Sequence, residues 1–134
     1  MMNNQLSFLT WKEGDRVFAA YLVVTLLTSA VNGAAAVANL IGHDYPKSQA
    51  DKMGVPHSWM RPLGTLLGAG ALGLLAGLVV PVLGALAAAG LVLYFIGALW
   101  AHLRVGDHAL GPWSVFFCLP AAALAANLAY HGLG

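Results

Sequence analysis

Four apolar runs that contain no Asp, Glu, Lys or Arg dominate the sequence, and short polar stretches separate them. They cover residues 17–41, 62–80, 82–103 and 112–131. Each run is long enough to span a membrane, because a helix of about 20 apolar residues crosses the roughly 30 Å hydrocarbon core of a bilayer. The sequence therefore predicts an all-α integral membrane four-helix bundle. It forms one domain over residues 1–134, with a short turn at Pro81 and a longer loop between helices 1 and 2.

The composition excludes several other classes of protein. Of the 134 residues, 60% are hydrophobic and 8% are charged, with a mean hydropathy of +0.77, whereas a soluble domain carries about a quarter charged residues. The net charge of +1 is too small for nucleic-acid binding, which requires many cations against the phosphates. One cysteine, Cys118, permits neither an intrachain disulfide nor a cysteine-rich metal site, and we expect it to be a small core residue.

The cations differ in number between the two ends of the predicted helices. Face A, the end with both termini and the turn at Pro81, carries two of them, and face B, the end with the other two connections, carries four. They are Lys12 and Arg16 at face A, and Lys47, Lys52, Arg61 and Arg104 at face B. The positive-inside tendency therefore predicts a multi-pass protein with face B in the cytoplasm and extracytoplasmic termini.

The connection from His43 to Arg61 is too polar to span a membrane. Its SQADKM centre predicts a short interfacial helix that ends before Pro56. A connection of this length more often carries function than a bare turn does.

Polar side chains form one stripe along the first predicted helix. Its members, at offsets of four, three, four and seven residues, are Tyr21, Thr25, Thr28, Asn32 and Asn39. This stripe is expected to face protein, because a neutral amide in hydrocarbon needs a partner. The two asparagines are therefore expected to bond another helix or, alternatively, to line a ligand cavity.

Small residues four apart predict close helix packing in the second and third spans. The pairs are Gly64 with Gly68, Gly73 with Gly77, and Gly84 with Ala88. Packing within the chain is favoured, although the pattern is also compatible with a homo-oligomer.

Most ionisable residues gather at face B, so we expect a binding site to open there. The candidate ligand-binding residues are Asn32, Asn39, His43, Tyr94, Arg104 and Asp107. His102 is the main candidate for catalytic proton transfer, and Asp44 is the second. Arg104 is expected either to hold an anionic or carbonyl group or to pair with Asp107. No pair of histidines has a metal-ligand spacing, so no metal site is predicted, and a haem bound by one histidine is disfavoured.

The stretch from about Met53 to Asp107 resembles the DoxX-like family of small four-span bacterial membrane proteins. The similarity lies in MGVPHSW before span two, in the glycine-rich run that follows it, and in AHLRVGD at the end of span three. Members often carry an acidic residue within span two, where this chain has TLLGA at residues 65–69. The resemblance implies the four-span architecture and, more loosely, a redox role connected with quinone.

Three functions are compatible with these features. The leading hypothesis is a bacterial inner-membrane subunit that binds a small lipophilic molecule, a quinone or an isoprenoid, and works with a redox partner protein. The second is a cofactor-free isomerase or hydrolase that acts on a lipophilic epoxide or terpenoid through His102 or Asp44. The third is a membrane assembly or scaffold subunit.

Overall fold

The computed structural model describes the backbone of residues 2–131 and the side chains of residues 14–131. All regular structure in this part of the chain is helical, which confirms the all-α prediction. The helices are α1 (Met2–Leu40), α2 (Asp44–Met53), α3 (Met60–Ala76), α4 (Pro81–Arg104) and α5 (Gly111–His131), with a 3-10 turn at His57–Trp59. Helix α2 is the predicted interfacial helix, and it ends before Pro56 as expected.

Within the described residues, three helical segments are long and apolar enough to cross a membrane. They are Gly14–Leu40, Pro81–Arg104 and Gly111–His131, which correspond to predicted spans one, three and four. The segment predicted as span two is helical only as far as Ala76. Its helix α3 has 17 residues and measures about 25 Å, less than the roughly 30 Å of a hydrocarbon core. These apolar helices contact the lipid bilayer, and the chain is a membrane protein.

Helices α1, α3, α4 and α5 pack in a closed ring, which we call the helix ring. Helix α1 contacts α3 and α5, and α4 contacts the same two helices. The buried hydrophobic core consists of Ala36, Leu67, Leu74, Ala88, Leu91, Phe95 and Ala123. Helix α2 lies at face B, where it contacts α1, α3 and α4. Cys118 is exposed, so the expectation that it lies in the core is wrong.

Glycine residues let the helices approach closely. A Cβ atom at Gly77 would lie 2.6 Å from the backbone nitrogen of Gly84, so α3 and α4 meet backbone to backbone. A Cβ atom at Gly64 would lie 3.2 Å from the carbonyl oxygen of Ala36 in α1. The predicted packing of small residues within the chain is therefore confirmed.

The polar stripe of α1 faces the interior of the helix ring, as predicted. Its most buried members are Tyr21, Thr25, Thr28 and Asn32. The side-chain amide of Asn32 donates to the Thr28 carbonyl at 2.9 Å, and that of Asn39 donates to the Ala35 carbonyl at 2.8 Å. The expected amide bonds to another helix are therefore wrong, because each short side chain bonds a carbonyl four residues earlier in its own helix.

Other side chains make the hydrogen bonds between helices. The Ser29 hydroxyl of α1 donates to the Ala71 carbonyl of α3 at 2.8 Å. Within the helix ring, further bonds of this kind run from Tyr21 to the Gly77 carbonyl, from Trp113 to the Phe95 carbonyl and from Asn127 to the Pro81 carbonyl. Ser29 was not part of the predicted stripe, yet it connects α1 to α3 at mid-helix.

Candidate functional site

Helix α4 ends in a glycine turn that shapes the candidate site. Gly106 has a φ of +71°, in the region that favours glycine. The Gly106 N–H donates to the Leu103 carbonyl at 3.1 Å, and the Asp107 N–H donates to the His102 carbonyl at 2.9 Å. This Schellman arrangement satisfies two of the last carbonyls of α4 and reverses the chain. It brings Asp107 beside His102.

His102 and Asp107 form a hydrogen-bonded pair that is mostly buried. Nδ1 of His102 lies 3.0 Å from Oδ2 of Asp107, and the two side chains are 13% and 23% exposed. The other carboxylate oxygen accepts a hydrogen bond from the Ala109 N–H at 3.0 Å. This backbone bond, together with the His102 ring and the charge of Lys52, lowers the pKa of Asp107 below its ordinary value of 3.8. The carboxyl group therefore stays ionised at neutral pH.

The ionised carboxylate determines which nitrogen of His102 carries the hydrogen. A carboxylate only accepts hydrogen bonds, so the hydrogen between the two groups belongs to Nδ1. The described residues supply no hydrogen-bond partner for Nε2. In neutral imidazole Nε2 accepts a hydrogen bond, and in imidazolium it donates one. His102 can therefore act as a general acid or base, or bind the polar end of a ligand.

Arg104 connects α2 to the same end of α4. Its Nη2 donates to the Met53 carbonyl at 2.6 Å, and its guanidinium lies 5.1 Å from the centroid of the Trp100 ring. Met53 ends α2, where carbonyl groups lack partners within the helix. The expected pairing of Arg104 with Asp107 is wrong, because His102 takes the carboxylate. The alternative, that Arg104 holds an anionic or carbonyl group of a ligand, stays a prediction, and in the structure its guanidinium bonds the Met53 carbonyl.

Three other predicted residues lie elsewhere. His43 is exposed, and its Nδ1 accepts from the Tyr45 N–H at 3.1 Å, which caps the start of α2. Asp44 is exposed in the first turn of α2, and Asn39 is half-buried on α1. Within the described residues no hydrogen bond connects these side chains to the His102–Asp107 pair.

Tyr94 lines an open groove of about 390 Å³ between α3 and α4. The lining residues are Leu66, Gly70, Ala87, Gly90, Leu91, Leu93 and Tyr94. The tyrosine hydroxyl is the only polar side-chain group of this lining. His102 lies eight residues further along α4, about 12 Å from Tyr94 along the helix axis.

Sequence reasoning missed the contribution of α2. Lys52 and Met53 lie far from Asp107 and Arg104 in the chain, and no spacing pattern connects them. It also missed a second pair, in which Nε2 of His57 lies 2.7 Å from Oδ1 of Asp51. Among the described residues, no three His, Cys, Asp or Glu side chains are grouped as metal ligands.

The comparison with protein families covers most of the chain. The sequence profile of the DoxX-like family matches residues 23–126, which include the His102–Asp107 pair and all of α2, α3 and α4. No curated protein and no solved structure matches the chain. The chain belongs to the DoxX-like family.

Proposed function

We propose that this protein is a four-span membrane bundle that binds a small lipophilic molecule, with the polar end of the ligand on Nε2 of His102. The observation that carries the proposal is the His102–Asp107 pair, which is mostly buried at face B and leaves Nε2 without a partner among the described residues. A quinone is the favoured ligand, since its carbonyl oxygen accepts a hydrogen bond from a protonated imidazole. An isoprenoid with a polar head is the other member of this ligand class.

The role of α3 as the fourth span is supported by its neighbours. It packs against α1 and α4, which both contain segments long enough to cross the membrane. Its outer face exposes Leu66 and Leu72, the arrangement expected of a helix in lipid. The turn residues 77–80 extend the apolar segment beyond Ala76, which makes up for the short helix.

The cations at face B support the proposed orientation. Lys47, Lys52, Arg61 and Arg104 lie at this end, and exposed aromatic rings accompany them at Tyr45, Trp59 and Trp100. Basic residues favour the cytoplasmic side, and Trp and Tyr favour the interface. These features support the proposed location in a bacterial inner membrane, with face B in the cytoplasm and extracytoplasmic termini.

The groove between α3 and α4 is the proposed path for the apolar part of the ligand. It opens on the outer face of the helix ring, and its lining is apolar except for Tyr94. A lipophilic molecule diffusing in the bilayer reaches such a groove without crossing water. The His102 pair supplies a proton donor or acceptor but no electrons, so a redox role requires a partner protein.

Binding of a short-chain ubiquinone to the protein in detergent tests the proposal. Quenching of tryptophan fluorescence reports binding, since Trp100 and Trp113 lie near this end of α4. The His102→Gln variant is expected to raise Kd about tenfold, the effect of one hydrogen bond to a polar ligand group. The matched control is His57→Gln, which disrupts the more exposed His–Asp pair and should leave Kd unchanged. Equal affinity of His102→Gln and the wild type would contradict the proposal.

The same pair supports a second candidate function, a cofactor-free isomerase or hydrolase of a lipophilic epoxide or terpenoid. An imidazole oriented by a carboxylate transfers protons without a cofactor. In this candidate function His102 is the proposed acid or base and Asp107 orients it, while Asp44, the other proposed acid or base, lies exposed in the first turn of α2. Native mass spectrometry with organic extraction separates the candidates. A bound quinone or isoprenoid favours the binding subunit, substrate conversion by a protein free of cofactor favours the enzyme, and a co-purifying protein alone favours a scaffold subunit.

A further inference from the structure

The interior of the helix ring contains an amide oxygen whose partner the described residues do not supply. Asn32 is 0% exposed, and its Nδ2 donates to the Thr28 carbonyl. Its Oδ1 is buried and has no hydrogen-bond partner among the described residues. Buried amide oxygens are almost always bonded, because an unpaired one loses its interaction with water and gains nothing.

The described side chains make their hydrogen bonds elsewhere than to this oxygen. The hydrophobic part of the core consists of Ala, Leu and Phe residues, which have no side-chain donor, and the buried Ser29 and Asn127 donate to the Ala71 and Pro81 carbonyls. The Thr28 hydroxyl is already engaged, because it donates to the Val24 carbonyl. Backbone N–H groups inside the helices are used by the helices themselves. Asn32 Oδ1 is therefore available to a donor on a separate molecule.

A second acceptor lies at a similar depth on α5. Pro120 is almost fully buried inside this helix and has no N–H to donate to the Phe116 carbonyl four residues earlier. Tyr21 of α1 stacks on Tyr130 of α5, and the two helices run in opposite directions. Counting along both helices from this contact places Asn32 about level with residue 119. The Phe116 carbonyl, which lacks a helix bond from Pro120, therefore lies within about one helical turn of the level of Asn32.

A third unpaired group extends this polar region toward face A. The Thr25 hydroxyl is 1% exposed and has no partner among the described residues. It lies seven residues before Asn32, two helical turns along the same stripe, about 10 Å away. A hydroxyl both donates and accepts, so it suits a bound molecule with a hydroxyl group of its own.

We propose that the ring interior holds a site for a hydroxyl donor, with Oδ1 of Asn32 as the acceptor at its centre. The donor is water or the hydroxyl of a lipophilic alcohol, two sources with the same chemistry. The site is separate from the His102 pair and goes beyond the function proposed above. In this proposal the polar stripe of α1 serves as a binding surface near the middle of the membrane.

Infrared spectroscopy of the side-chain carbonyl of Asn32 tests this proposal. Protein labelled with ¹³C at the asparagine Cγ is compared with the equally labelled Asn32→Leu variant, and the difference spectrum isolates the Asn32 band. The Asn39→Leu variant is the matched control, because Asn39 bonds its own helix in the same way but is only half-buried. Asn32→Ala provides a second subtraction if the leucine variant does not fold.

We expect the Asn32 band at the lower frequency of a hydrogen-bonded carbonyl. If the band lies there in extracted protein and farnesol leaves it unchanged, the donor is water. If it moves there only on addition of farnesol, the donor is a lipophilic alcohol. A band at the frequency of a free amide, with and without farnesol, would overturn the proposal. None of these readouts involves His102, so the two proposals fail independently.

Discussion

The contact between Gly77 and Gly84 makes the sharpest prediction about the fold. Gly77 has φ −64° and ψ −19°, an ordinary helical conformation that alanine adopts without strain. The effect of Gly77→Ala is therefore steric. The new Cβ would lie 2.6 Å from the backbone nitrogen of Gly84, whereas ordinary contacts begin at 3.4 Å. Backbone atoms cannot rotate away, so α3 and α4 must separate by about 1 Å.

The expected cost follows from two contributions. Overpacking of this kind costs about 1–3 kcal/mol. The hydrogen bond from the Tyr21 hydroxyl to the Gly77 carbonyl, 3.1 Å long, contributes about 1 kcal/mol more if the helix shifts. The free energy of unfolding should therefore fall by about 2–4 kcal/mol.

Titration with SDS in mixed micelles, followed by circular dichroism, measures this loss. Gly90→Ala is the matched control, because a Cβ there meets nothing within 4 Å. It should leave stability unchanged or raise it by up to about 1 kcal/mol through helix propensity. If Gly77→Ala unfolds at the same SDS fraction as Gly90→Ala, the close approach of α3 and α4 is refuted.

Two further predictions concern the end of α4. Folding lowers the pKa of Asp107 below 3.8, so the folded protein binds fewer protons than the unfolded chain near that pH. The contribution of Asp107 to stability is therefore present above pH 3.8 and is lost as the pH falls through the lower pKa of the folded state. The Asp107→Asn variant should lack this part of the acid-induced fall in the unfolding midpoint. Parallel plots of unfolding midpoint against pH for the variant and the wild type would contradict the prediction. Gly106→Ala forces φ +71° on a residue with a Cβ and should cost about 1–2 kcal/mol in the SDS titration. The control is Gly97→Ala, whose new Cβ meets open space, and an equal effect of both changes would refute the role of the turn.

The apolar runs and the offsets along α1 predicted the helices and the buried stripe, because both depend on local periodicity. The glycine pairs predicted close packing for the same reason. The partners of polar atoms depend on tertiary distances, which the sequence does not encode locally. Ser29 therefore bonded Ala71 without any warning pattern, and Asp107 paired with His102 instead of Arg104. The early end of α3 at Ala76 was missed because residues 77–80 are as apolar as the helix before them.

The two His–Asp pairs differ in their exposure to water, and for this reason only one of them is a candidate site. Both pairs flank a glycine turn at face B, Gly54 between Asp51 and His57, and Gly106 between His102 and Asp107. The first pair is 50% and 66% exposed, so water solvates both groups and screens their interaction. The second pair is 13% and 23% exposed, so little water competes for its hydrogen bonds, and a hydrogen bond to a ligand is stronger there. The proposed ligand would therefore gain more from Nε2 of His102 than from a ring nitrogen of His57, and the ratio of the Kd values of His102→Gln and His57→Gln measures that difference.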